Sequence, residues 1–299
     1  MNFIRNIPIP ISGLILALLS LGNLLQDIHP SLRYLFGSLG VIFLILIILK
    51  VIIYPQEIRN DFKNPVIVSS SGTFSMSLMI LSTYLIGIIP SIAYTIWIIG
   101  ICLHILLMIY FTYHFIIGNF NINTVYPTYW IVYVGITMAA ITSHTHSVEE
   151  IGFIFFVIGF AAMVITLPLV IYRYLKYNNI PDMNKPLICI FTALLSILIV
   201  GYLNSAQNIN SSFLIGLYLI ACIFYIFAFY KFLEYKNLEF YPSFSAFTFP
   251  FVISALATKG VMDLISSNRF LNGILSVETA IATIIVIYVL IKYIKFLKK

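Results

Sequence analysis

The sequence predicts an all-α integral membrane protein of ten transmembrane helices paired as five helical hairpins. The odd helices form an inner ring and the even helices an outer ring. Three observations carry this expectation. The 299-residue chain is 61% hydrophobic and 9% charged, against roughly a quarter charged in soluble domains. Its apolar runs have membrane length, because about 30 Å of hydrocarbon takes roughly 20 helical residues to cross. Five prolines, Pro10, Pro65, Pro127, Pro186 and Pro242, recur at steps of 55, 62, 59 and 56 residues, and each opens such a run. A repeat of that length holds two crossings and their turns. Proline suits the first helical turn, where its missing N–H costs nothing.

Lipid offers no water to backbone polar groups, so spans are helices or strands of a closed barrel. Long Ile/Leu/Phe runs without alternation exclude the barrel. The spans are placed at 9–26, 32–54, 66–89, 91–117, 126–144, 150–173, 186–204, 212–233, 242–262 and 274–296. Residues 1–299 thus read as one transmembrane domain. The first span has only Arg5 ahead of it and no small-x-small cleavage site before Gln26 and Asp27. It reads as a retained helix rather than a signal peptide. Span 2 (VIFLILIILKVIIY) and span 6 (FIFFVIGFAAMVITLPLVIY) are uniformly greasy. Span 3 carries Ser69, Ser70, Ser71, Gly72, Thr73, Ser75 and Ser77, and span 9 carries Ser245, Ala246, Thr248, Ser254, Ala255 and Thr258. Glu278 falls in the first turn or two of span 10, where an acid suits a helix N-terminus. Tyr54, Tyr126, Tyr129, Trp130 and Tyr241 sit near span ends as interfacial anchors.

The basic residues set orientation. Arg5, Lys50, Arg59, Lys63, Arg173, Lys176, Lys185, Lys231, Lys236, Lys292, Lys295, Lys298 and Lys299 fall on the side of the N-terminus. Arg33, Lys259 and Arg269 fall on the other. Cytoplasmic loops carry the excess of Lys and Arg, so both termini are expected in the cytoplasm of a multi-pass protein of the cell membrane. The net charge of +6 is then a topology signal. No soluble segment interleaves basic and stacking residues, which excludes nucleic acid as a partner. Cys102, Cys189 and Cys222 lie inside spans and read as buried thiols without disulfide or metal spacing.

Small residues let membrane helices approach closely, which places the odd helices inside. Close packing alone would account for that, and the alternative is a conduit along the axis. Counting from each proline, offset seven gives Ala17, Gly72, Val134, Ala193 and Phe249; offset ten gives Ser20, Ser75, Thr137, Ser196 and Val252. Positions three apart share a helix face. The reading is one layer of small side chains around a phenylalanine, beside a layer of hydroxyls. Offset fourteen (Leu24, Met79, Ile141, Val200, Leu256) reads as ordinary packing.

The segments FSAFTFPF, PIPISGL and NPVIVS resemble the tellurite-resistance/C4-dicarboxylate transporter family, which includes TehA and the plant slow anion channels. The resemblance covers essentially the whole chain through hairpin number and proline placement. It implies ten helices in five hairpins, odd helices lining a pore, and homotrimers with one pore per subunit. It also implies a pore-blocking phenylalanine on the ninth helix, which falls at Phe249. Gating is then expected as displacement of that ring, hinged at the adjacent Pro250. The permeant species so implied are monovalent anions for channel members, and dicarboxylates such as malate, or tellurite, for transporter members. Mid-helix prolines common in the family are missing from spans 1, 3, 5 and 7.

Permeation chemistry can be argued from the residues. No Asp, Glu, Lys or Arg sits in the middle of an odd span, whereas ion couplers and proton relays use such groups. Neutral hydroxyls can hydrogen-bond an anion without trapping it. Lys259, near the outer end of span 9, is a candidate for the mouth, with simple snorkelling as the alternative. The function expected is an anion channel or transporter with a neutral pore occluded by Phe249. The alternatives are a proton-coupled C4-dicarboxylate or tellurite transporter and a membrane-embedded haem or metal protein. No cofactor is expected. His104 and His114 share a face of span 4 but find no second histidine pair, and read as packed or interfacial. His144 and His146, with Glu149 and Glu150, mark an outer turn. A serine nucleophile with a buried base, paired carboxylates and a glycine-rich phosphate loop are missing from the sequence, so no enzyme is expected.

Overall fold

The computed structural model describes residues 2–177, 179–265 and 269–298. Lys299, one of the basic residues placed on the N-terminal side, lies outside them. Every regular element among the described residues is helical. In order they are α1 (Asn2–Arg5), α2 (Ile11–Leu25), α3 (Pro30–Ile53), α4 (Pro55–Asp61), α5 (Pro65–Leu85), α6 (Pro90–Phe111), α7 (Thr128–Tyr133), α8 (Thr137–Ser143), α9 (Glu149–Lys176), α10 (Phe191–Ser205), α11 (Ser211–Tyr235), α12 (Phe249–Ile265) and α13 (Arg269–Leu297). A π-helical turn, Thr112–Gly118, extends α6. The 3₁₀ segments Asp182–Ile190 and Pro242–Phe247 lead into α10 and α12.

Of the five recurring prolines, Pro65 and Pro242 occupy first-turn positions of α5 and of the 3₁₀ segment before α12, Pro10 and Pro127 stand just before α2 and α7, and Pro186 lies inside the 3₁₀ segment before α10. Pro30, Pro55 and Pro90, which the repeat did not include, start α3, α4 and α6. Asn64 completes the start of α5 by accepting from the Val66 N–H at 2.9 Å. Asn210 does the same for α11 through Phe213 N–H at 3.0 Å. Such caps satisfy donors that have no partner within the helix.

Eight helical stretches among the described residues are long and apolar enough to cross a membrane. The two remaining expected spans take other forms. α2 has 15 residues, which at 1.5 Å per residue is about 22 Å. The fifth span is broken into α7 and α8. There the Val134 and Gly135 N–H groups converge on the Trp130 carbonyl at 2.8 and 2.9 Å. A Cβ at Gly135 would stand 2.1 Å from the Ile131 carbonyl oxygen, so this turn needs glycine.

Packing separates helices by burial. Of the 18-residue window in Asp182–Ser205, 94% is buried, against 28% in α9 and in α13. α2 packs on α3, α5 and α12, and α10 packs on α8, α9, α11 and α12. The outer surface of α9, α11 and α13 presents Ile165, Ile226 and Ile284, all exposed, as a lipid-facing surface does. Glycines set the close approaches. Gly152 of α9 lies against Ser143, and Gly159 against Thr137.

Two basic residues are buried within the protein, and one acid departs from its expected setting. Lys50 is buried, donates to the Ile7 carbonyl at 2.6 Å and lies 3.8 Å from Asp61. Arg173 is buried at the end of α9 and donates to the Tyr177 carbonyl at 2.6 Å. Glu278 does not stand at a helix N-terminus: α13 already runs from Arg269, and Glu278 is buried well along it.

Candidate functional site

A cavity of about 50 Å³ lies where all five proline-opened segments meet. Pro10 and Gly13 come from the start of α2, and Ser70, Thr73 and Met76 from α5. Thr128, Trp130, Ile131, Val134 and Gly135 come from α7 and its break, Leu187, Ile190, Ala193, Leu194 and Ile197 from the α10 segment, and Ser245, Ala246, Phe249 and Pro250 from the α12 segment. No charged side chain is among them.

Most lining positions lie three to four, seven to eight or eleven residues after their proline, which is one helical stripe. On an ideal helix offset ten stands about 20° from offset three, at the edge of that stripe, and the structure leaves the expected hydroxyl layer off the cavity. Ser20, Ser75, Thr137, Ser196 and Val252 are all buried but none lines the cavity. Ser75 Oγ lies 2.7 Å from His104 Nδ1, and Ser196 donates to the Thr192 carbonyl at 2.7 Å. Thr137 faces Gly159 and Gly201. Of the offset-seven residues, Val134, Ala193 and Phe249 line the cavity. Ala17 does not, and Gly72 packs against Ile131 and Leu107 instead. Four hydroxyl-bearing residues that do line it, Ser70, Thr73, Thr128 and Ser245, were missed. The 3.6-residue period carried from offset four would have found Thr73; alignment by residue type did not.

Phe249 is buried and opens α12 at a change of helix type. Thr248 holds the junction, with φ −92° and ψ −80° between the 3₁₀ turn and the α-helix. Its Oγ1 lies 2.6 Å from the Ser245 carbonyl and 3.3 Å from the Gly13 carbonyl of α2. Pro250 follows in the first turn, where no N–H is required. The Phe249 backbone is therefore fixed at a helix start rather than within a continuous helix.

A wider recess of about 740 Å³ lies at the proline ends and shares Pro10, Ser70 and Leu187 with the cavity. Lys50, Asp61, Lys63 and several asparagines line it. Arg173 stands behind its Tyr126 wall, with the guanidinium carbon 4.9 Å from that ring centroid. At the opposite end Lys259, the residue expected at the mouth, pairs with Asp27 and so carries its own counter-charge.

His104 reaches inward from α6 and ties two segments together. Its Nε2 is 3.0 Å from the Val132 carbonyl, which can only accept. Nε2 therefore carries the proton, and Nδ1 accepts from Ser75. His114 packs on the Tyr110 ring, with centroids 4.3 Å apart. His144 pairs with Glu149 at 2.8 Å, whereas His146 turns to Ser82 at 2.8 Å. Burial pushes the His146 imidazole below its ordinary value. Among the described residues no three His, Cys, Asp or Glu side chains group as a metal site.

No individual curated protein matches the chain. The sequence profile of the SLAC1 family, described as voltage-dependent anion channel, matches residues 6–294. That match covers nearly the whole chain and joins it to the tellurite-resistance and C4-dicarboxylate transporters, whose function is anion passage through a membrane rather than catalysis. The chain belongs to the SLAC1 family of membrane anion channels and transporters.

Proposed function

We propose that this chain passes small anions along a neutral central conduit between the proline-opened helices, and that the Phe249 ring closes it, with Pro250 as the hinge of its displacement. The observation that carries this reading is the charge-free cavity to which all five proline-opened segments contribute, with Phe249 in its wall. Ten crossings follow if α2 and the α7–α8 pair are counted with the eight long stretches, each proline-opened helix forming a hairpin with its successor. The first turns of the proline-opened segments then point toward the recess, where the positive ends of helix dipoles favour anions. The excess of basic residues at that end puts both termini in the cytoplasm, and the cell membrane is the natural site. By family likeness the assembly is a homotrimer with one conduit per subunit.

The test is the reversal potential of the purified protein in planar bilayers under mixed chloride, nitrate and malate gradients. Currents that reverse near the anion equilibrium potentials support the reading. Currents that follow the cation gradient, or none, refute it.

A second reading, a proton-coupled dicarboxylate or tellurite carrier, is favoured by one observation. The buried Glu278 bonds to Thr258 of α12, the helix that Phe249 opens, and intramembrane carboxyls often mark proton pathways. Uptake of malate driven by a pH gradient in proteoliposomes, and lost in Glu278→Gln, would favour it over a channel.

A further inference from the structure

A second cavity opens sideways from the protein, between α3 and α6. It holds about 410 Å³ and shares Ile9 and Lys50 with the recess at the proline ends. Ile47 and Val51 of α3 form one wall, Leu103 and Leu106 of α6 the other, and Ser71 and Phe74 of α5 the floor. Val51 and Leu106 are 45% and 60% exposed, so this crevice opens on the lipid-facing surface. Another face of α5 supplies Ser70 and Thr73 to the central cavity. The crevice therefore backs onto a helix of the proposed conduit.

Its end is framed at the level of the short helix α4. Ile58 of α4 and Phe62 just after it both line the crevice. Tyr110 of α6 donates its hydroxyl to the Phe62 carbonyl at 3.3 Å, with the two ring centroids 5.9 Å apart. Aromatic pairs of this kind mark the membrane–water interface. Iso-branched and aromatic walls give water too few partners, so at membrane depth hydrocarbon fills the space.

Charge names the headgroup. Around α4 the chain carries Arg5, Lys50, Arg59 and Lys63 against Glu57 and Asp61. Arg5 pairs with Glu57, and Lys50 lies 3.8 Å from Asp61. Lys63 lines the recess and donates to Asn60 at 3.1 Å. Arg59 directly follows the crevice-lining Ile58 and is exposed. Basic side chains at a membrane surface attract anionic headgroups. A second copy of the chain would bring the same excess of bases to this end of the membrane, whereas an anionic phospholipid brings the opposite charge.

We propose that this crevice holds an acyl chain of one anionic phospholipid, with the headgroup phosphate at Arg59. The site is separate from the central cavity and does not depend on the Phe249 gate.

The test places a reporter in the wall. Leu106→Trp is reconstituted in phosphatidylcholine vesicles that carry a small mole fraction of phospholipid with brominated acyl chains, which quench tryptophan on contact. The native Trp97 and Trp130 are buried, and their emission is subtracted with the wild type. Brominated phosphatidylglycerol should quench the added emission about fivefold more effectively than brominated phosphatidylcholine, the scale of one basic group near a surface. Arg59→Gln should bring that ratio close to one, and Arg59→Lys should keep most of it. Ile165→Trp, on the exposed face of α9, should show no preference. Val51→Trp reports on the same crevice should Leu106→Trp not fold. Equal quenching by the two lipids would mean ordinary surrounding lipid and overturn the site. So would a preference that persists in Arg59→Gln or appears equally at Ile165→Trp. A reporter that neither lipid quenches would mean that protein, a second copy included, covers the crevice, and would overturn it as well.

Discussion

Thr258 Oγ1 donates a 2.5 Å hydrogen bond to Glu278 Oε2, which ties α12, the helix that Phe249 opens, to α13. Tyr218 OH lies 3.0 Å from the same Thr258 oxygen, so α11 joins the contact. Three helices thus meet at one hydroxyl beside a buried carboxyl.

Removing that hydroxyl strands the carboxyl. Thr258→Val is expected to lower stability by about 1–3 kcal/mol, the usual cost of an unsatisfied buried polar group, and Thr258→Ser to recover most of it. Thermal unfolding in detergent measures both. Equal melting temperatures for wild type and Thr258→Val would show that the bond contributes nothing.

The α8–α9 seam depends on a missing side chain. A Cβ at Gly152 would fall 2.1 Å from Ser143 Oγ and 2.5 Å from its Cβ. Gly152→Ala should therefore destabilise by about 1–3 kcal/mol, as overpacking does. Ser143→Gly in the same chain should restore much of the loss. No rescue would mean that the clash is relieved by backbone movement elsewhere.

The hydroxyls off the cavity face make a negative control. Ser196 donates to its own helix and does not line the cavity. Ser196→Ala should leave anion permeability ratios unchanged. A shift in reversal potential from Ser196→Ala would restore the offset-ten layer to the conduit.

His146 gives a pH dependence of known sign. Its imidazole is half-buried between Ser82, Trp97 and Tyr94, and burial lowers its folded value below the ordinary 6.5. Its contribution to stability is then present above about 6.5 and is lost as pH falls below it. The wild type should lose more thermal stability than His146→Gln between neutral and mildly acidic pH. Parallel pH curves for the two proteins would exclude the effect.

The helical class was legible in the sequence, because membrane length and composition leave few other structures. Four of the five recurring prolines marked helix starts, because ring geometry acts locally; Pro186 sits inside a 3₁₀ segment that begins at Asp182. The break after Tyr133 was not legible as a break, since the sequence reading looked for mid-helix proline and Gly135 makes the turn instead. Cavity residues were only partly legible. Offset seven found Val134, Ala193 and Phe249, but small errors in angular phase moved the hydroxyl layer off the face. The 3₁₀ starts of the last two proline-opened segments shift that phase further, since they turn about 120° per residue rather than 100°. Glu278 was misjudged because helix ends are the least certain part of any sequence reading, and a start several residues earlier turns a terminal acid into a buried one.

The most direct measurement is anion conductance of Phe249→Ala against wild type in reconstituted bilayers, at matched amounts of folded protein. A ring that closes the conduit predicts a several-fold rise in current with the reversal potential still following the anion gradient. Unchanged current in the folded variant would remove Phe249 from the path of the ion.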